Sequence, residues 1–421
     1  MKFWILQTGE PIHIDTENYR GMRALNLTDT LLERNHKVTL WTSDFNHQTK
    51  KHRFGKSQTI TLSENYKLKL VPSIGYRSNI GLRRLIDHIQ MGFNLRKLLK
   101  YEQLPDLAFI GFPPIEVAFV MSKWLRKNNV PYILDVKDMW PEIFLNHFKG
   151  KRRLFGSIIF GIHFYMRNMV FKRATGISSI TPEFLNWALT ISGRQAHRFD
   201  SVNYLTAKEP KFTDEEMKHS FSWLDEKGIH ESNVIRMTFI GSVTKSFDFT
   251  GIIEAAKKPN IQIVIAGDGP MLQDLKDISR DSSNIIFLGR ISQVAAWALA
   301  SQTNYMLAPY ASSEDFDLSI PNKIFDAMMY GKPILSSSKG ISSRFVQEFG
   351  IGEIYSNEIP SRDSKIRNLY DTVRELESKP KLVKLMEINA RNIFESKFSG
   401  DIIYDKLALK IESIASDYKI T

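Results

Sequence analysis

Short apolar runs bounded by turn residues alternate with helical patterns along this chain, and this alternation constrains its fold more than any other feature. Runs of strand length occur at Lys2–Leu6, Val38–Thr42, Asp106–Ile110 and Tyr132–Val136. Between the first two, Gly21–Arg34 has apolar residues at helical spacing. Strands connected by helices form parallel sheets that are covered on both faces. The pattern predicts a doubly wound α/β architecture.

The chain divides near Ser201–Tyr204, and a second series of strands follows. The acidic, polar stretch Lys208–Glu231 is typical of a linker with a surface helix. The next strands are predicted at Val234–Ile240, Ile261–Ala266, Asn284–Leu288 and Asn304–Ala308. A chain of 421 residues suits two domains of about 200 residues each. We therefore expect one Rossmann-like domain at residues 1–203 and another at 204–399, followed by a closing helix at about 400–421.

The net charge of +11 belongs to the first half of the chain. Residues 1–200 contain 30 Lys and Arg against 16 Asp and Glu, whereas residues 201–421 contain 27 against 30. A basic half indicates an anionic partner, which is a nucleic acid, an acidic membrane surface or a phosphate-bearing substrate. The chain has no cysteine, which excludes disulfides, thiolate catalysis and cysteine-bound zinc.

With respect to targeting, the sequence is consistent with a cytoplasmic protein. The apolar start, Met1–Leu6, is typical of a first strand and not of a signal peptide. No uncharged apolar run reaches the roughly 18 residues that a transmembrane helix needs. The lack of cysteine agrees with a reducing compartment.

The stretch Ser319–Tyr330 places a lysine, an amide and a carboxylate on the first turns of a predicted helix, which a proline opens and Gly331 ends. Its apolar residues fall on one side and can pack on a sheet. Asn322, Lys323 and Asp326 lie on another side, beside unsatisfied amides and the positive end of the helix dipole. This arrangement suits a nucleotide diphosphate, with Asp326 accepting hydrogen bonds from a ribose.

These residues resemble the donor-sugar helix of family 4 GT-B glycosyltransferases. The resemblance is stronger to a bacterial surface-polysaccharide branch with the variant S-x-P-N-K-x-F-[ED], a branch similar to N-acetylfucosamine transferases. The family pattern has two glutamates separated by seven residues; here Asp326 takes the second position and Leu318 the first. The role of that first carboxylate near the transferred sugar is therefore not carried over. The resemblance implies two Rossmann-like domains facing a cleft, retention of anomeric configuration and a last helix that packs back on the first domain.

A second string in the predicted donor domain resembles the family's G-[DE]-G-P turn beside the nucleotide base and ribose. Its residues are Gly267, Asp268, Gly269 and Pro270. Taken alone, the string is also typical of a tight turn in any α/β protein. Its occurrence in the same domain as Ser319, Asn322 and Lys323 favours the nucleotide interpretation.

The turn after Gly241 matches the family position where an arginine and a lysine clamp the diphosphate. Ser242 stands at the arginine position, and Lys245 either takes the lysine role or is a solvated surface residue. Arg290 is another cation at the same sheet edge. With Lys323, it is expected to stabilise the negative charge that the leaving nucleotide gains.

In the first domain, the string that follows strand Tyr132–Val136 matches the surface-polysaccharide branch. It contains Lys137, Asp138 and Trp140. The resemblance places Lys137 at the sugar as a hydrogen-bond and charge donor, and Asp138 as the residue that orients the acceptor hydroxyl or the donor sugar. An ion pair of Lys137 with Asp135 or Asp138 at the strand end is the structural alternative.

The loop Thr8–His13 and the start of the first helix are expected to face the same cleft. Glu10 is a candidate to bind sugar hydroxyls, and Arg20 beside Gly21 is a candidate to touch phosphate. The alternative is that Arg20 is solvated and pairs with Glu10. The D-x-D string Asp315–Asp317 is not interpreted as a metal site, because two acids in a loop are common. We expect neither a metal nor another cofactor.

The segment from Phe144 to Pro182 has no acidic residue, and cations bracket its apolar positions. The residues assigned to a membrane surface are Arg152, Arg153, Phe155, Ile159, Arg167, Lys172 and Arg173. The uncharged part is too short to span a bilayer but suits its surface, where each cation contributes about 1 kcal/mol. A core helix with solvated ends is the alternative.

We interpret the chain as a retaining glycosyltransferase that moves a sugar from a nucleotide donor, a UDP-sugar, to a lipid-linked or saccharide acceptor in bacterial capsule or lipopolysaccharide biosynthesis. We expect it to be cytoplasmic and peripheral on the inner leaflet of the cytoplasmic membrane. One alternative is a UDP-sugar 2-epimerase of the same fold. Another is a basic nucleic-acid-binding protein, but the sequence has no aromatic-interleaved strand platform, so no nucleic-acid partner is expected.

Overall fold

The computed structural model describes residues 1–15, 20–78, 81–142, 160–231, 233–311, 314–357 and 367–420. The chain forms two compact units. The first comprises Met1–Thr16, Gly21–Tyr204 and Asp401–Thr421, and the second comprises Glu17–Arg20 and Leu205–Gly400. Each unit has its own parallel sheet with helices, so the predicted α/β class is confirmed.

The first unit is built on an eight-stranded sheet with a short antiparallel ribbon. Its strands are β1 (Lys2–Leu6), β2 (Lys37–Ser43), β3 (Phe45–Asn46), β4 (Lys51–His52), β5 (Gln58–Ser63), β6 (Tyr66–Val71), β7 (Leu107–Phe112), β8 (Tyr132–Val136), β9 (Gly176–Ser179) and β10 (Ser201–Val202). The sheet order is β10-β9-β8-β7-β1-β2-β6-β5, with β5 antiparallel to β6, and β3 pairs with β4. The order reverses between β7 and β1, the kind of point at which open α/β sheets bind ligands.

The helices of the first unit cover both faces of this sheet. They are α1 (Arg23–Glu33), α2 (Leu82–Leu98), α3 (Ile115–Lys127), α4 (Gly161–Lys172) and α5 (Pro182–Ser192), with a 3₁₀ turn at Leu99–Tyr101. The C-terminal helix Gly400–Ile420 contributes Tyr404 and Leu407 to the same buried core as Leu27 of α1 and Leu40 of β2. Burial of this apolar side gives the last helix its place in the first unit.

The second unit has a six-stranded, fully parallel sheet. Its strands are β11 (Ile235–Ile240), β12 (Ile261–Ala266), β13 (Ile285–Gly289), β14 (Tyr305–Ala308), β15 (Ile334–Ser336) and β16 (Gly352–Ile354), in the order β13-β12-β11-β14-β15-β16. Its helices are α6 (Asp214–Glu226), α7 (Thr250–Ala256), α8 (Leu272–Ile278), α9 (Gln293–Ser301), α10 (Glu314–Asp317), α11 (Asn322–Met329), α12 (Gly340–Glu348), α13 (Leu369–Glu377) and α14 (Pro380–Ile393), followed by a π-helical turn at Phe394–Phe398. The order reverses between β11 and β14, so β11 ends at the second switch point.

The eight predicted strands agree with the structure within two residues. The apolar side of α11 packs inward as predicted, with Ile324 and Phe325 buried. Pro321, the proline predicted to open this helix, precedes α11 as its N-cap. Among the described residues, no helix is long and apolar enough to cross a bilayer.

Candidate functional site

Two glycine turns meet at the carboxyl edge of the second sheet. Gly241 follows β11 with a φ of 145°, and Gly267 follows β12 with a φ of 152°. Residues with a side chain rarely adopt these angles. A Cβ on Gly267 would lie 1.8 Å from the carbonyl oxygen of Gly241. Only glycine lets the two loops approach this closely, which leaves their backbones accessible at the switch point.

Lys323 reaches this turn from the first turn of α11. Its ammonium donates a hydrogen bond to the carbonyl oxygen of Ile240, the last residue of β11, and lies 4.2 Å from the ring centroid of Phe239. A Cβ on Gly241 would lie 2.1 Å from Nζ, so this glycine also makes room for the cation. Burial of the ammonium lowers the pKa of Lys323 to about 8. A bound anion would compensate for this burial, because it restores a partner to the charge.

Asp326, one turn further along α11, forms an ion pair with Arg20. The Nε of Arg20 donates to Oδ1 of Asp326 over 2.8 Å, and its Nη2 donates to the carbonyl oxygen of Leu205 over 3.5 Å. The contacts of Arg20 group it with the second unit. The assignment of Arg20 to the first-domain cleft was therefore wrong, because a carboxylate on α11 attracts its guanidinium. Burial and the charge of Asp326 both raise the pKa of the nearby Tyr310.

The other predicted donor residues lie along the same edge with different environments. The side-chain oxygen Oδ1 of Asn322 is buried and has no hydrogen-bond partner among the described residues. Such a group costs free energy until a ligand or water satisfies it. Ser319 is half-buried, and its carbonyl accepts a hydrogen bond from Ser342 over 2.6 Å. Asp268 accepts from the amide of Gly269 over 2.7 Å. The exposed members are Ser242, Lys245, Asp268, Pro270 and Arg290.

In the first unit, four charged side chains form a largely buried network at the carboxyl edge of the sheet. Lys137 directly follows β8 and donates to Glu10 and, over 3.0 Å, to Oε1 of Gln7. It also lies 3.6 Å from Asp135. Asp135 in turn pairs with Arg23 at 3.2 Å, and both of these side chains are almost completely buried. Two positive and two negative groups balance each other, as buried charges require.

Glu10 has both carboxylate oxygens engaged within the unit. Oε1 accepts from Lys137, and Oε2 accepts from the backbone amide of Ala24 over 2.8 Å, in the first turn of α1. Its negative charge therefore lies at the positive end of the α1 dipole. This geometry makes Glu10 a positioning residue for Lys137. The pairing of Lys137 with Asp135, which the sequence left as an alternative, is also present.

A pocket of about 200 Å³ opens beside this network. Lys137, Glu10 and Asp138 line it, and the Asp138 side chain is exposed. Sequence reasoning missed the rest of its polar lining, because no motif marks these positions and separate elements bring them together. These residues are Gln7, Ser43, His47, Tyr76, Arg84, Asp87 and His88.

The missed residues give this pocket a partly cationic, aromatic wall. Nδ1 of His47 lies 2.6 Å from Oη of Tyr76, and burial lowers the pKa of His47 to about 4, so its ring is neutral at neutral pH. The Arg84 guanidinium lies 5.4 Å from the centroid of the Tyr76 ring and 5.1 Å from that of Trp140. Trp140 thereby lies next to the predicted acceptor region, 5.9 Å from the ring of His88.

Gly21 has a local structural role at the start of α1. Nδ2 of Asn26 donates to the carbonyl oxygen of Gly21 over 3.0 Å, and a Cβ on Gly21 would lie 2.9 Å from Oδ1 of Asn26. Its lack of a side chain therefore permits this helix start.

The residues assigned to a membrane surface have different outcomes. Arg152, Arg153, Phe155 and Ile159 lie outside the described residues. Lys172 and Arg173 are exposed at the end of α4. Arg167 is buried, pairs with Glu142 and lies 5.9 Å from the Trp187 ring centroid. Its assignment to a membrane surface was therefore wrong, since its charge is neutralised inside the unit.

The D-x-D string falls in the short helix α10, and the Asp315 side chain lies outside the described residues. In the parts of the chain that the structure describes, no group of three or more His, Asp or Glu side chains is placed to hold a metal ion.

Three solved structures share the fold of this chain over nearly its full length. Sucrose-phosphate synthase (tll1590) from Thermosynechococcus elongatus has a TM-score of 0.72 at 12% identity, with 99% of each chain covered. Alr3699/HepE from Anabaena, solved with UDP, has a TM-score of 0.65 at 13% identity, over 98% of this chain and 99% of that chain. WaaG, a glycosyltransferase involved in lipopolysaccharide biosynthesis, has a TM-score of 0.65 at 14% identity, over 98% of this chain and 99% of that chain. The fold is GT-B, as predicted.

The second unit also carries a match in sequence. Residues 237–360 match the family model described as "Glycosyl transferases group 1". This segment contains both glycine turns and α11 with Lys323. No curated protein matches the chain in sequence. The family match within the second unit, together with the GT-B fold, supports a transferase enzyme.

Proposed function

We propose that this protein is a retaining glycosyltransferase that transfers a sugar from a UDP-sugar to a lipid-linked or saccharide acceptor. We place it in bacterial capsule or lipopolysaccharide biosynthesis, as a cytoplasmic enzyme held at the inner leaflet of the membrane. The observation that carries this proposal is the position of Lys323 at the end of β11, beside two glycine turns. The string Ser319–Asp326 supports the branch similar to N-acetylfucosamine transferases.

Donor binding follows from the groups at this edge. When the diphosphate binds, the ammonium of Lys323 donates to a phosphate oxygen instead of the carbonyl oxygen of Ile240. The amides at the start of α11 donate further hydrogen bonds to the phosphate. The buried side-chain oxygen of Asn322 gains a hydrogen-bond donor from the ligand. The carboxylate of Asp326, which Arg20 holds in place, accepts a hydrogen bond from a ribose hydroxyl. That HepE has been solved with UDP and with UDP-glucose supports a uridine donor.

The chemistry requires charge stabilisation and a correctly placed acceptor hydroxyl. As the sugar–phosphate bond breaks, negative charge moves onto the nucleotide, where Lys323 and Arg290 stabilise it. The departing phosphate takes the proton of the acceptor hydroxyl on the face that it leaves, which retains the anomeric configuration. Lys137 donates to the sugar, Asp138 orients the hydroxyl, and Glu10 holds Lys137 in place. No metal takes part in this scheme, so chelators should not change the rate.

The test is a screen for thermal stabilisation of the full chain by UDP, GDP and their sugars. A ligand that binds only the native state at a hundred times its Kd adds about 2.7 kcal/mol to the free energy of unfolding. We expect UDP and UDP-sugars to raise the melting temperature, and Lys323→Ala to abolish both this shift and sugar transfer. Lys257→Ala, which removes an exposed lysine paired with Glu254 on α7, is the matched control and should behave as the wild type.

Two outcomes would refute the proposal. The donor site is wrong if the Lys323→Ala variant keeps the shift that UDP causes in the wild type. Incubation with UDP-sugars alone separates transfer from epimerisation, because an epimerase yields a new UDP-sugar without releasing UDP. That product pattern would replace the transferase with the 2-epimerase.

A further inference from the structure

Helix α2 (Leu82–Leu98) presents a continuous apolar stripe to solvent. Leu82 is 79% exposed, Ile86 54%, Ile89 40% and Phe93 61%. Their spacing of four, three and four residues puts them on one side of the helix, and 11 residues of helix extend over about 16 Å. Soluble proteins rarely expose a contiguous apolar surface without a partner. We refer to these four residues as the α2 stripe.

The opposite side of α2 is buried and belongs to the pocket of the first unit. Arg84, Asp87 and His88 point towards the pocket that Lys137 also lines. Gly92 packs against α3, where a Cβ would lie 3.5 Å from the carbonyl oxygen of Glu116. The helix is therefore fixed in the unit by this buried side, which also includes Met91 and Leu95, and its exposed apolar side is left for an external partner.

The charge around the α2 stripe identifies the partner. Residues 65–101 contain eight Lys and Arg, and Asp87 is their single acidic residue. Asp87 is completely buried and accepts a hydrogen bond from the amide of Gly75 over 2.6 Å. The exposed cations on and after the helix are Arg83, Arg96, Lys97 and Lys100. An apolar stripe flanked by cations suits the headgroup and acyl boundary of an anionic bilayer.

A second copy of this chain is a poorer partner for the same face. Pairing two α2 faces would bring two groups of like charges together, which opposes association. An anionic lipid surface satisfies both the apolar stripe and the cations. We infer that α2 docks the first unit on an anionic membrane through Leu82, Ile86, Ile89 and Phe93.

This inference rests on the proposed function in one respect, because a lipid-linked acceptor gives the docking its purpose. The diameter of a helix with its side chains is about 10–12 Å. Docking through the α2 stripe therefore holds the Arg84 side of the helix, and the pocket that it lines, within about this distance of the bilayer surface. A saccharide attached to a membrane lipid can reach a site at that height.

Vesicle sedimentation of the full chain tests this inference. Wild type should bind vesicles of phosphatidylcholine with phosphatidylglycerol and bind poorly to phosphatidylcholine alone. The double variant Ile86→Ser with Phe93→Ser should lose about a hundredfold in partitioning, because each apolar side chain contributes about tenfold or more. Arg96→Gln with Lys97→Gln should lose about thirtyfold in partitioning on the anionic vesicles and resemble the wild type on the neutral ones. Ile278→Ser, at a 71% exposed residue of the second unit, is the matched apolar control and should bind as the wild type.

Several results would overturn the inference. It fails if wild type does not bind anionic vesicles, or if the α2 variants bind as tightly as the control. It also fails if the wild type sediments as a dimer that Ile86→Ser with Phe93→Ser converts to a monomer, since a second copy would then cover the stripe. Thermal stabilisation by UDP, measured on every variant, shows that the variant is folded and binds the donor, and this measurement does not depend on membrane binding. If UDP does not raise the melting temperature of the wild type, the donor site is refuted, whereas the conclusion from vesicle binding is unaffected.

Discussion

Replacement of Lys323 by methionine should stabilise the protein and abolish nucleotide binding at the same time. Burial lowers the pKa of Lys323 from 10.5 to about 8, a shift that corresponds to about 3 kcal/mol of destabilisation when the group is charged. Methionine is one atom shorter but still fills most of the space beside Phe239, and it loses the hydrogen bond to Ile240, which is worth about 1 kcal/mol. The net gain in free energy of unfolding is about 2 kcal/mol at neutral pH.

The pH dependence of the stability difference between the wild type and Lys323→Met tests the role of the charge, because a change in packing alone would not depend on pH in this way. Below about pH 8 the folded protein bears the full cost of the charged ammonium. Between about pH 8 and 10.5 the folded state releases this proton before the unfolded state does, so the unfolded state binds more protons and the stability contributed by Lys323 rises with pH. The advantage of Lys323→Met should therefore be largest at neutral pH and fade across this window.

Scanning calorimetry of the wild type and the Lys323→Met variant, with and without UDP, measures both the gain in stability and the loss of nucleotide binding. For a unit of this size, a gain of about 2 kcal/mol corresponds to a rise in Tm of about 4–8 °C. UDP should raise the Tm of wild type and leave that of Lys323→Met unchanged. A variant that is no more stable than the wild type at neutral pH refutes the burial argument, and a variant that still responds to UDP refutes the donor site.

Three further predictions follow from close contacts in the two units. Gly267→Ala should destabilise the second unit and weaken UDP binding, because its Cβ would lie 1.8 Å from a backbone oxygen, whereas Gly161→Ala has open space and should be neutral by both thermal and binding assays. Lys137→Met should lower kcat by about a hundredfold or more while stabilisation by UDP persists, and a normal kcat would remove this residue from the reaction. Asp135→Asn should cost about 3–5 kcal/mol in chemical denaturation, because Arg23 remains buried without its anion, and a loss below about 1 kcal/mol would contradict this.

The fold was predictable because local apolar patterns and turn residues agree with it. The predicted strands Lys2–Leu6, Tyr132–Val136 and Ile261–Ala266 match the structure at both ends, since each is a short apolar run whose limits are set by polar or turn residues. Strand Ile334–Ser336 was not predicted, because three residues are too few to show a period. Helix α2 was not predicted either, and its exposed Leu82 and Phe93 become visible only once the face that packs inward is known.

The sequence by itself determined the α/β class of the chain, the positions of most strands and the presence of Lys323 and Asp326 on one helix, because periodicity and short motifs are local properties. Only the tertiary structure decided which charges meet. Arg20 pairs with Asp326 and Arg167 with Glu142, although neither partner could be identified from spacing along the chain. An ion pair depends on distance in space and on burial, and the packing of many elements sets both.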